Sequence, residues 1–510
     1  MIVQNQADVL SFLKNPASYG EQAALVAMTT THISAIFFVG HRVFKLKRAV
    51  RLPYVDFSTA ALRLAACCRE YDLNRRTAPA LYMGVRCITR ETDGRLMFDG
   101  RGELVDAVVE MARFDENTLF DRMGPRGQLT PTLLTELART VARFHTNSAA
   151  DHRRTGAAGI ASVLDINEQA LTAANLFSAD AVATLTADLR SAFHRHESLL
   201  NARARAGKVR RCHGDLHLRN ICLVDGVPTL FDCLEFDESM ATVDVLYDVA
   251  FLLMDLWHRR LQPGANLVFN RYLDECDETD GLPLIPFFMS IRASVRAHVT
   301  AAQAEQAPDA CREKVIAEAK AYAALAARFL NPAPARLVAI GGLSGTGKST
   351  VAAAIADKIG SAPGARVLAS DRIRKRLYGV RAEERLPAQA YSPEVSERVY
   401  AALALSAQTV LSSGHAVVAD AVFDRATDRE RVERIASAAK VPFMGIWLHA
   451  KPPTLFARVD ARRGDASDAT VDIVRAQLAD QNGSANWVWV DADGAIAATV
   501  ARVAGAIGVV

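Results

Sequence analysis

The sequence predicts two folded units in tandem, an α+β unit followed by an α/β unit with a parallel sheet, and three observations lead there. The chain has 510 residues, beyond the roughly 250–300 at which a single core stops growing. Two prolines in Asn331-Pro332-Ala333-Pro334-Ala335 follow the alanine-rich helical stretch from Val315 to Leu330, a break that reads as a linker. After it, strand-like and helix-like segments alternate, as a parallel sheet requires.

Half of the residues are hydrophobic and 23% are charged, the balance of a soluble globular protein rather than a disordered or fibrous one. A formal net charge of +3 on this length does not point to nucleic acid or to an anionic membrane. The eight cysteines (Cys67, Cys68, Cys87, Cys212, Cys222, Cys233, Cys276, Cys311) form no C-x-x-C pair and match no zinc or disulfide spacing. A reducing cytosol fits them. No basic segment leading into an apolar one opens the chain, so no signal peptide is read. The most apolar stretches are Val249 to Met254, bracketed by Asp248 and Asp255, and Gly494 to Val510, which carries Arg502. Both read as core helices rather than spans of about 20 residues. A cytoplasmic protein without a membrane segment is expected.

In the first unit, Phe37-Phe38-Val39, a turn at Gly40-His41 and Val43-Phe44-Lys45-Leu46-Lys47 predict a hairpin. Phe44 and Leu46 then share one face, Lys45 and Lys47 the other. A helical stretch from Thr59 to Arg75 carries Glu70, Leu104 to Met111 reads as a strand, and Leu129 to Ser148 and Ala181 to Ala204 read as helices. The segment Arg211-Cys212-His213-Gly214-Asp215-Leu216-His217-Leu218-Arg219-Asn220 contains H-x-D-x-x-x-x-N. At that spacing Asp215 can deprotonate an acceptor hydroxyl while Asn220 ligates Mg²⁺. Leu230-Phe231-Asp232 then ends an apolar strand with a second candidate metal ligand. Lys45, or alternatively Lys47, with Glu70 would supply the ion pair that positions nucleotide phosphates. The basic run from Arg203 to Arg211, with Lys208, reads as a solvated loop; no aromatic residues interleave it for base stacking.

In the second unit, the strand Leu337-Val338-Ala339-Ile340 leads into Gly342-Leu343-Ser344-Gly345-Thr346-Gly347-Lys348-Ser349, a full G-x-x-x-x-G-K-[ST] match, and then a helix from Thr350 to Ile359 closed by Gly360. Its glycines let backbone N–H groups turn onto phosphate at the positive end of a helix dipole. Lys348 would reach the β- and γ-phosphates and Ser349 the Mg²⁺; Ser344, Thr346 and Thr350 complete the cradle. Further strands are predicted at Ala365 to Ala369, Ala416 to Ala419 and Phe443 to Leu448. Asp420, at the end of one of them, suits a carboxylate near the metal. Asp371 and Arg374, three apart after another strand, share a helical face. There a carboxylate can take a proton from an attacking hydroxyl while the arginine holds an anionic group. Arg458, Arg462 and Arg463 fall in a helical stretch ending at Gly464-Asp465, where they could close over a transferring phosphoryl group.

These motifs carry two resemblances. HGDLHLRN, LFDCLEFD and VDVLYDVAFLLMDL, with Asp244 and Asp248, and VFKLKR and CCREYDLNRR upstream, make residues 30–330 resemble the aminoglycoside-phosphotransferase-like branch of the protein-kinase fold. That resemblance implies two lobes and favours Lys45, which follows Val43-Phe44 as the lysine follows two apolar residues in kinase-like strands. The chain departs from the wider pattern in having no G-x-G-x-x-G loop before this strand, only Thr30-Thr31-His32-Ile33-Ser34 and Gly40. From Leu337 to about Gln477, GLSGTGKST, SDRIRKRLYG, VVADAVF and RVDARRGDASDA resemble the P-loop small-kinase group of gluconate kinases, zeta-toxin-like kinases and polynucleotide 5′-kinases. It implies that Asp371 is the acceptor base and that the arginine-rich stretch is a lid. The order of units resembles bacterial fusions of the two domains.

The expected architecture is therefore an α+β two-lobed kinase-like domain at 1–330 (small lobe about 1–112, large lobe about 113–330), a linker at 331–336, and an α/β P-loop domain with a parallel sheet at 337–510. The expected activity is bifunctional, Mg²⁺-dependent transfer of the γ-phosphoryl of ATP or GTP to hydroxyl groups of small molecules. Two alternatives stay open: a nucleic-acid 5′-hydroxyl kinase, and a nucleotide-dependent regulatory or toxin-like protein in which one unit gates the other. The acceptor and the oligomeric state are not legible in the sequence.

Overall fold

Alternation of buried and half-buried residues from Ala35 to Val39 starts the core face of the first sheet in the computed structural model, which describes residues 4–509 except 21–24, 32, 53–54, 154–155, 236–237, 463 and 480–485. Contacts divide the chain into two compact units, Met1–Ser162 with Leu200–Asp255, and Val163–Leu199 with Leu256–Val510.

In the first unit, α1 (Ala7–Lys14) precedes β1 (Val26–Thr30), β2 (Ser34–Val39) and β3 (Arg42–Lys47). The short pair β4 (Arg51–Leu52) and β5 (Val55–Asp56), α2 (Ala60–Asn74), β6 (Tyr82–Arg90), β7 (Leu96–Phe98) and β8 (Glu103–Ala112) follow. The sheet is antiparallel in the order β1-β2-β3-β8-β6-β7. The predicted hairpin is present, with Val39 opposite Arg42 across Gly40-His41. Phe44 and Leu46 pack with Phe37, Ile88 and Val108, which turns Lys45 and Lys47 to the other face. Helix α2 is capped by the Thr59 hydroxyl, which accepts from the Leu62 N–H.

The chain continues through α3 (Phe120–Met123), α4 (Pro131–Asn147), α5 (Gly156–Ala173), α6 (Ala179–Arg205), β9 (Val209–Arg211), β10 (Ile221–Val224), β11 (Val227–Leu230), α7 (Glu238–Ala241), β12 (Thr242–Asp244) and α8 (Val245–His258). Between β10 and β11, Asp225 and Gly226 both have positive φ, the conformation a two-residue hairpin requires. The stretch Val249–Met254 is a wholly buried part of α8, as expected. The basic run is not a solvated loop. Arg203 is buried in α6 and grips Asp244 with two bonds of 2.8 and 2.9 Å. Arg210 donates to the carbonyls of His145, Thr146 and Ser148, and Arg211 to those of Leu234 and Glu238.

The second unit holds α9 (Gln262–Glu275), α10 (Leu284–Gln306), α11 (Asp309–Phe329), β13 (Leu337–Gly342), α12 (Lys348–Ala356), β14 (Arg366–Ala369), α13 (Ser370–Leu377) and α14 (Pro393–Ser412). Then come β15 (Val417–Asp420), α15 (Ala426–Ala438), β16 (Phe443–His449), α16 (Pro452–Asp460), α17 (Val471–Ala479), β17 (Val488–Asp491) and α18 (Ile496–Ile507). The sheet is parallel throughout, in the order β14-β15-β13-β16-β17. Helix α12 starts at Lys348 rather than Thr350 and ends at Ala356 rather than Ile359. Strand β17 was not predicted. The C-terminal apolar stretch forms α18, whose Val503 and Ile507 join the sheet core.

Helix α9 covers the edge strand. Asn270 Oδ1 accepts from Val367 N–H at 2.7 Å, and the amide nitrogens of Asn266 and Asn270 donate to the Ala365 carbonyl at 3.0 and 3.1 Å. With Asp274 these residues are spaced by four and share one helix face. They satisfy edge groups that would otherwise be open to pairing.

Candidate active sites

In the first unit, Lys45 Nζ lies 2.8 Å from Glu70 Oε1 and 2.5 Å from Asp232 Oδ1. Lys47 is paired with the other Glu70 oxygen and with Glu235. Both lysines therefore meet Glu70, and they differ in their second carboxylate. Lys47, Glu70 and Glu235 are buried, whereas Asp232 is 39% exposed. Burial would push the Glu70 carboxyl up, but Lys45 and Lys47 outweigh it and hold the group below its ordinary value. Burial would likewise lower Lys45, yet Asp232, Glu70 and Glu235 raise it well above its ordinary value. Each cation stays charged because the carboxylates repay its desolvation.

Asn220 Nδ2 donates to Asp215 Oδ2 at 2.9 Å and to the Asp215 carbonyl at 3.0 Å. Asp215 is 40% exposed, with His217 Nε2 at 3.4 Å. The loop that carries it is fixed from beneath. Asp248 accepts from the N–H groups of His213 (3.1 Å) and Gly214 (2.8 Å), and His145 Nε2 lies 3.1 Å from it. Asp255 accepts from the Leu218 N–H at 2.9 Å. Gly214 has φ +83 and a Cβ there would press on Ala241 and Leu234. The Phe231 carbonyl lies 2.9 Å from His213 Nε2, which joins the Asp215 loop to the Asp232 strand. Asp232 itself has φ 61. Its neighbour Cys233 donates its N–H to Asn74 on α2 at 2.8 Å. Where a glycine loop is missing, Thr31 and Ser34 close the turn: the Thr31 N–H donates to the Ser34 carbonyl at 2.8 Å and the Ser34 N–H to the Thr31 hydroxyl at 3.0 Å. His32 lies outside the described residues.

In the second unit, β13 is central and hands the chain to α12 through the glycine loop. Gly342 has φ +135, and a Cβ there would collide with the Leu448 carbonyl; Gly345, at φ +88, would meet the Leu455 carbonyl at 2.8 Å. Only glycine fits this backbone path. The Thr346 hydroxyl and Lys348 Nζ donate to the Leu343 carbonyl at 2.8 and 3.1 Å, and the Ser344 N–H to Gln477 Oε1 on α17 at 3.0 Å. Ser349 and Thr350 are exposed in the first turn of α12.

Lys348, Asp371 and Asp420 lie in one another's electrostatic field. Burial lowers Lys348, opposed by Asp420 and Asp371. Burial pushes Asp420 up to about 6, against Lys348 and the Ser349 hydroxyl bonded to it. Burial also raises Asp371, against a Ser467 hydrogen bond and the charges of Lys348 and Arg374. Arg374 is buried, donates to the Ala390 carbonyl at 2.6 Å and stands 4.7 Å above the Tyr391 ring. The lid differs from expectation in one respect. Helix α16 ends at Asp460, so Arg458 is helical but Arg462 lies beyond it, 3.1 Å from Asp465. Arg458 donates to the Gly494 carbonyl at 2.9 Å; Arg463 is outside the described residues.

Sequence reasoning missed Glu235, Asn74 and His145. For Asn74, four residues after Glu70 on one helix face, spacing was an available signal; Glu235 lies in the quoted LFDCLEFD.

Residues 99–283 match the model of the phosphotransferase enzyme family, and residues 337–486 match an AAA-domain model. The chain joins a phosphotransferase domain to a P-loop kinase domain. It is a kinase. The first match contains Asp215, Asn220 and Asp232 but begins after Lys45 and Glu70; the second contains the phosphate loop, Asp371, Arg374, Asp420, Arg458 and Arg462. Uncharacterized proteins of Mycobacterium tuberculosis and Mycobacterium bovis are 29% identical over 466 residues, 90% of this chain and 90% of each relative. Among solved structures, a choline/ethanolamine kinase family protein from Mesorhizobium loti is 13% identical over 62% of this chain and 97% of its own, at a TM-score of 0.38. A gluconokinase from Sinorhizobium meliloti is 24% identical over 34% of this chain and 96% of its own, at 0.23. Among the described residues, no helix is long and apolar enough to cross a membrane.

Proposed function

We propose that the chain is a bifunctional Mg²⁺-dependent phosphotransferase that moves the γ-phosphoryl of ATP or GTP to hydroxyl groups of small metabolites at two separate sites. The observation that carries this reading is that each unit holds a cation suited to phosphate beside a carboxylate suited to a metal, Lys45 with Asp232 and Lys348 with Asp420, and carries a further carboxylate suited to a proton, Asp215 in the first and Asp371 in the second. The first kinase is assigned to 1–330, with lobes of about 1–112 and 113–330, the linker to 331–336 and the second kinase to 337–510.

In the first site Asp215 takes the proton of the acceptor hydroxyl as its oxygen attacks the γ-phosphorus, and a nucleoside diphosphate leaves. Lys45, steadied by Glu70, holds the phosphates. The amide nitrogen of Asn220 is committed to Asp215, so its oxygen remains for a cation together with Asp232. In the second site Lys348 and the loop N–H groups hold the phosphates, Asp371 is the base, Arg374 orients the acceptor, and Arg458 and Arg462 close over the transferring group. Ser349 and Asp420, bonded to each other, offer hard oxygen donors. Both donor sets fit Mg²⁺, which would neutralise charge on the phosphates.

A small acceptor is favoured over a nucleic-acid end because three of the four basic residues of α13 are engaged internally. Arg372 binds Asp274, Arg374 the Ala390 carbonyl and Lys375 Asp468. No disulfide joins the cysteines among the described residues, in keeping with a cytoplasmic location. The test is label transfer from γ-labelled ATP and GTP into a fractionated metabolite extract, with Asp215→Ala and Lys348→Ala variants alongside. Each variant should lose a different labelled product. Products that survive both substitutions would sink the site assignments, and loss of all transfer in Lys348→Ala alone would make the first unit regulatory.

A further inference from the structure

Three guanidinium groups converge on Asp274 of α9. Arg271 Nη1 lies 2.8 Å from it, Arg366 Nη2 2.7 Å and Arg372 Nε 2.6 Å. The four side chains are between 6% and 18% exposed. Three cations thus share one carboxylate where water screens them poorly. Arg366 also donates to the side-chain oxygen and the carbonyl of Asn270 at 3.0 and 3.1 Å, but neutral acceptors do not cancel charge. An unbalanced buried cation is costly, and the usual remedy is an anion.

The cluster borders a cavity of about 260 Å³ beside the edge strand β14. Arg366 and Arg372 line its wall, and Arg376 and Arg381 stand exposed along it. Arg376 and Arg381 make no ion pair among the described residues. Lys375 also lines it, but its ammonium is 2.6 Å from Asp468. Against the four arginines the lining offers two carboxylates, Asp274 and the exposed Glu275. No residue of the phosphate loop lines the cavity, nor does Asp371 or Asp420. A ligand here is therefore not the group that receives the phosphoryl.

We propose that this cavity is a binding site for a small phosphate-bearing metabolite, whose dianion supplies the counter-charge that Arg366 and Arg372 lack and engages Arg376 and Arg381. Planar guanidinium groups suit phosphate oxygens in pairs. The volume lies below the range of about 300–1,000 Å³ usual for larger ligands, which selects a compact phosphate ester over a whole nucleotide. Arg372 directly follows Asp371 on α13, so a ligand that takes hold of it bears on the helix carrying the expected base, as an effector would.

The test is equilibrium dialysis of the full-length protein against ³²P-labelled inorganic phosphate and labelled glycerol 3-phosphate, with saturating Mg-ADP to fill the nucleotide sites. One saturable site per chain is expected, weakened about tenfold or more in Arg376→Gln/Arg381→Gln, which removes charge-assisted hydrogen bonds. Lys348→Ala should leave it unchanged, and neutral glycerol should not compete. The two exposed arginines can be changed without opening the buried cluster; an unshifted melting temperature verifies this, and the single Arg376→Gln and Arg381→Gln variants are read in the same way. The proposal is overturned by three results: no saturable site in the presence of ADP, a site indifferent to both arginines, or a site lost in Lys348→Ala, which would place the phosphate in the glycine loop.

Discussion

Replacing Lys45 and Lys47 one at a time by methionine should separate the cation that handles phosphate from the cation that holds the small lobe together. Lys47 is fully buried between Glu70 and Glu235, themselves 0% and 5% exposed. Its removal leaves Glu235 without its cation and Glu70 with Lys45 alone, a broken buried pair that costs about 3–5 kcal/mol. At roughly 2–4 °C per kcal/mol for a unit of this size, the first transition should fall by about 6–20 °C. Lys45 is different. Its second partner, Asp232, is 39% exposed and can be hydrated, while Glu70 keeps Lys47. Lys45→Met should therefore cost only about 1–3 kcal/mol of stability. It should lower first-site phosphoryl transfer by about 10²–10³, the cost of removing one aimed electrostatic contact. The assay is a calorimetric scan beside single-turnover transfer for each variant, with Lys348→Ala as the background so that only the first site reports. If Lys47→Met abolishes transfer while melting normally, and Lys45→Met keeps it, the lysine assignment is wrong.

Three further outcomes are expected. Asp420 titrates at about 6 in the folded protein against about 3.9 in an unfolded chain, so its proton stabilises the fold at acid pH and that contribution fades as pH rises through 4 to 6. Wild-type stability relative to Asp420→Asn, measured by urea unfolding without nucleotide or metal, should fall by about 2 kcal/mol between pH 4 and pH 7; a flat difference would remove the burial argument. Asp274 shows the opposite sign, since Arg366, Arg372 and Arg271 overcome burial and hold its carboxyl well below the ordinary range. Its contribution is present above about pH 4 and lost as pH falls through the depressed value, so Asp274→Asn should cost about 3–5 kcal/mol at pH 7 and progressively less in strong acid. Gly342→Ala forces a Cβ onto the Leu448 carbonyl at φ +135; nucleotide affinity at the second site should drop ~10- to 100-fold with the first site unaffected, as titration calorimetry would reveal.

Much of the sites was legible because local rules fix it. Alternation put Phe44 and Leu46 inward and so sent both lysines toward Glu70, and the phosphate loop announced itself by its glycines between a strand and a helix. Long-range pairing was not legible. The choice between Lys45 and Lys47 depends on Asp232 and Glu235, more than 180 residues away in sequence, and a lysine on a strand carries no mark of which carboxylate will reach it. The basic run at Arg203 to Arg211 read as solvated for the same reason, since Asp244 lies 41 positions beyond Arg203. Arg462 was placed in a helix because Gly464 is the first clear stop, whereas α16 ends earlier, at Asp460. Strand β17 has only four residues, too few for alternation to stand out. The asparagines of α9 looked like ordinary polar positions; their value comes from the open edge of β14, which belongs to a different part of the sequence.

The central claim is that one chain holds two independent nucleotide sites. The direct measurement is the stoichiometry of a non-hydrolysable, Mg²⁺-bound ATP or GTP analogue on the full-length protein. The account predicts two per chain, one in Lys45→Met, one in Lys348→Ala and none at comparable affinity in the double variant. A single site per chain, lost equally in either variant, would contradict it.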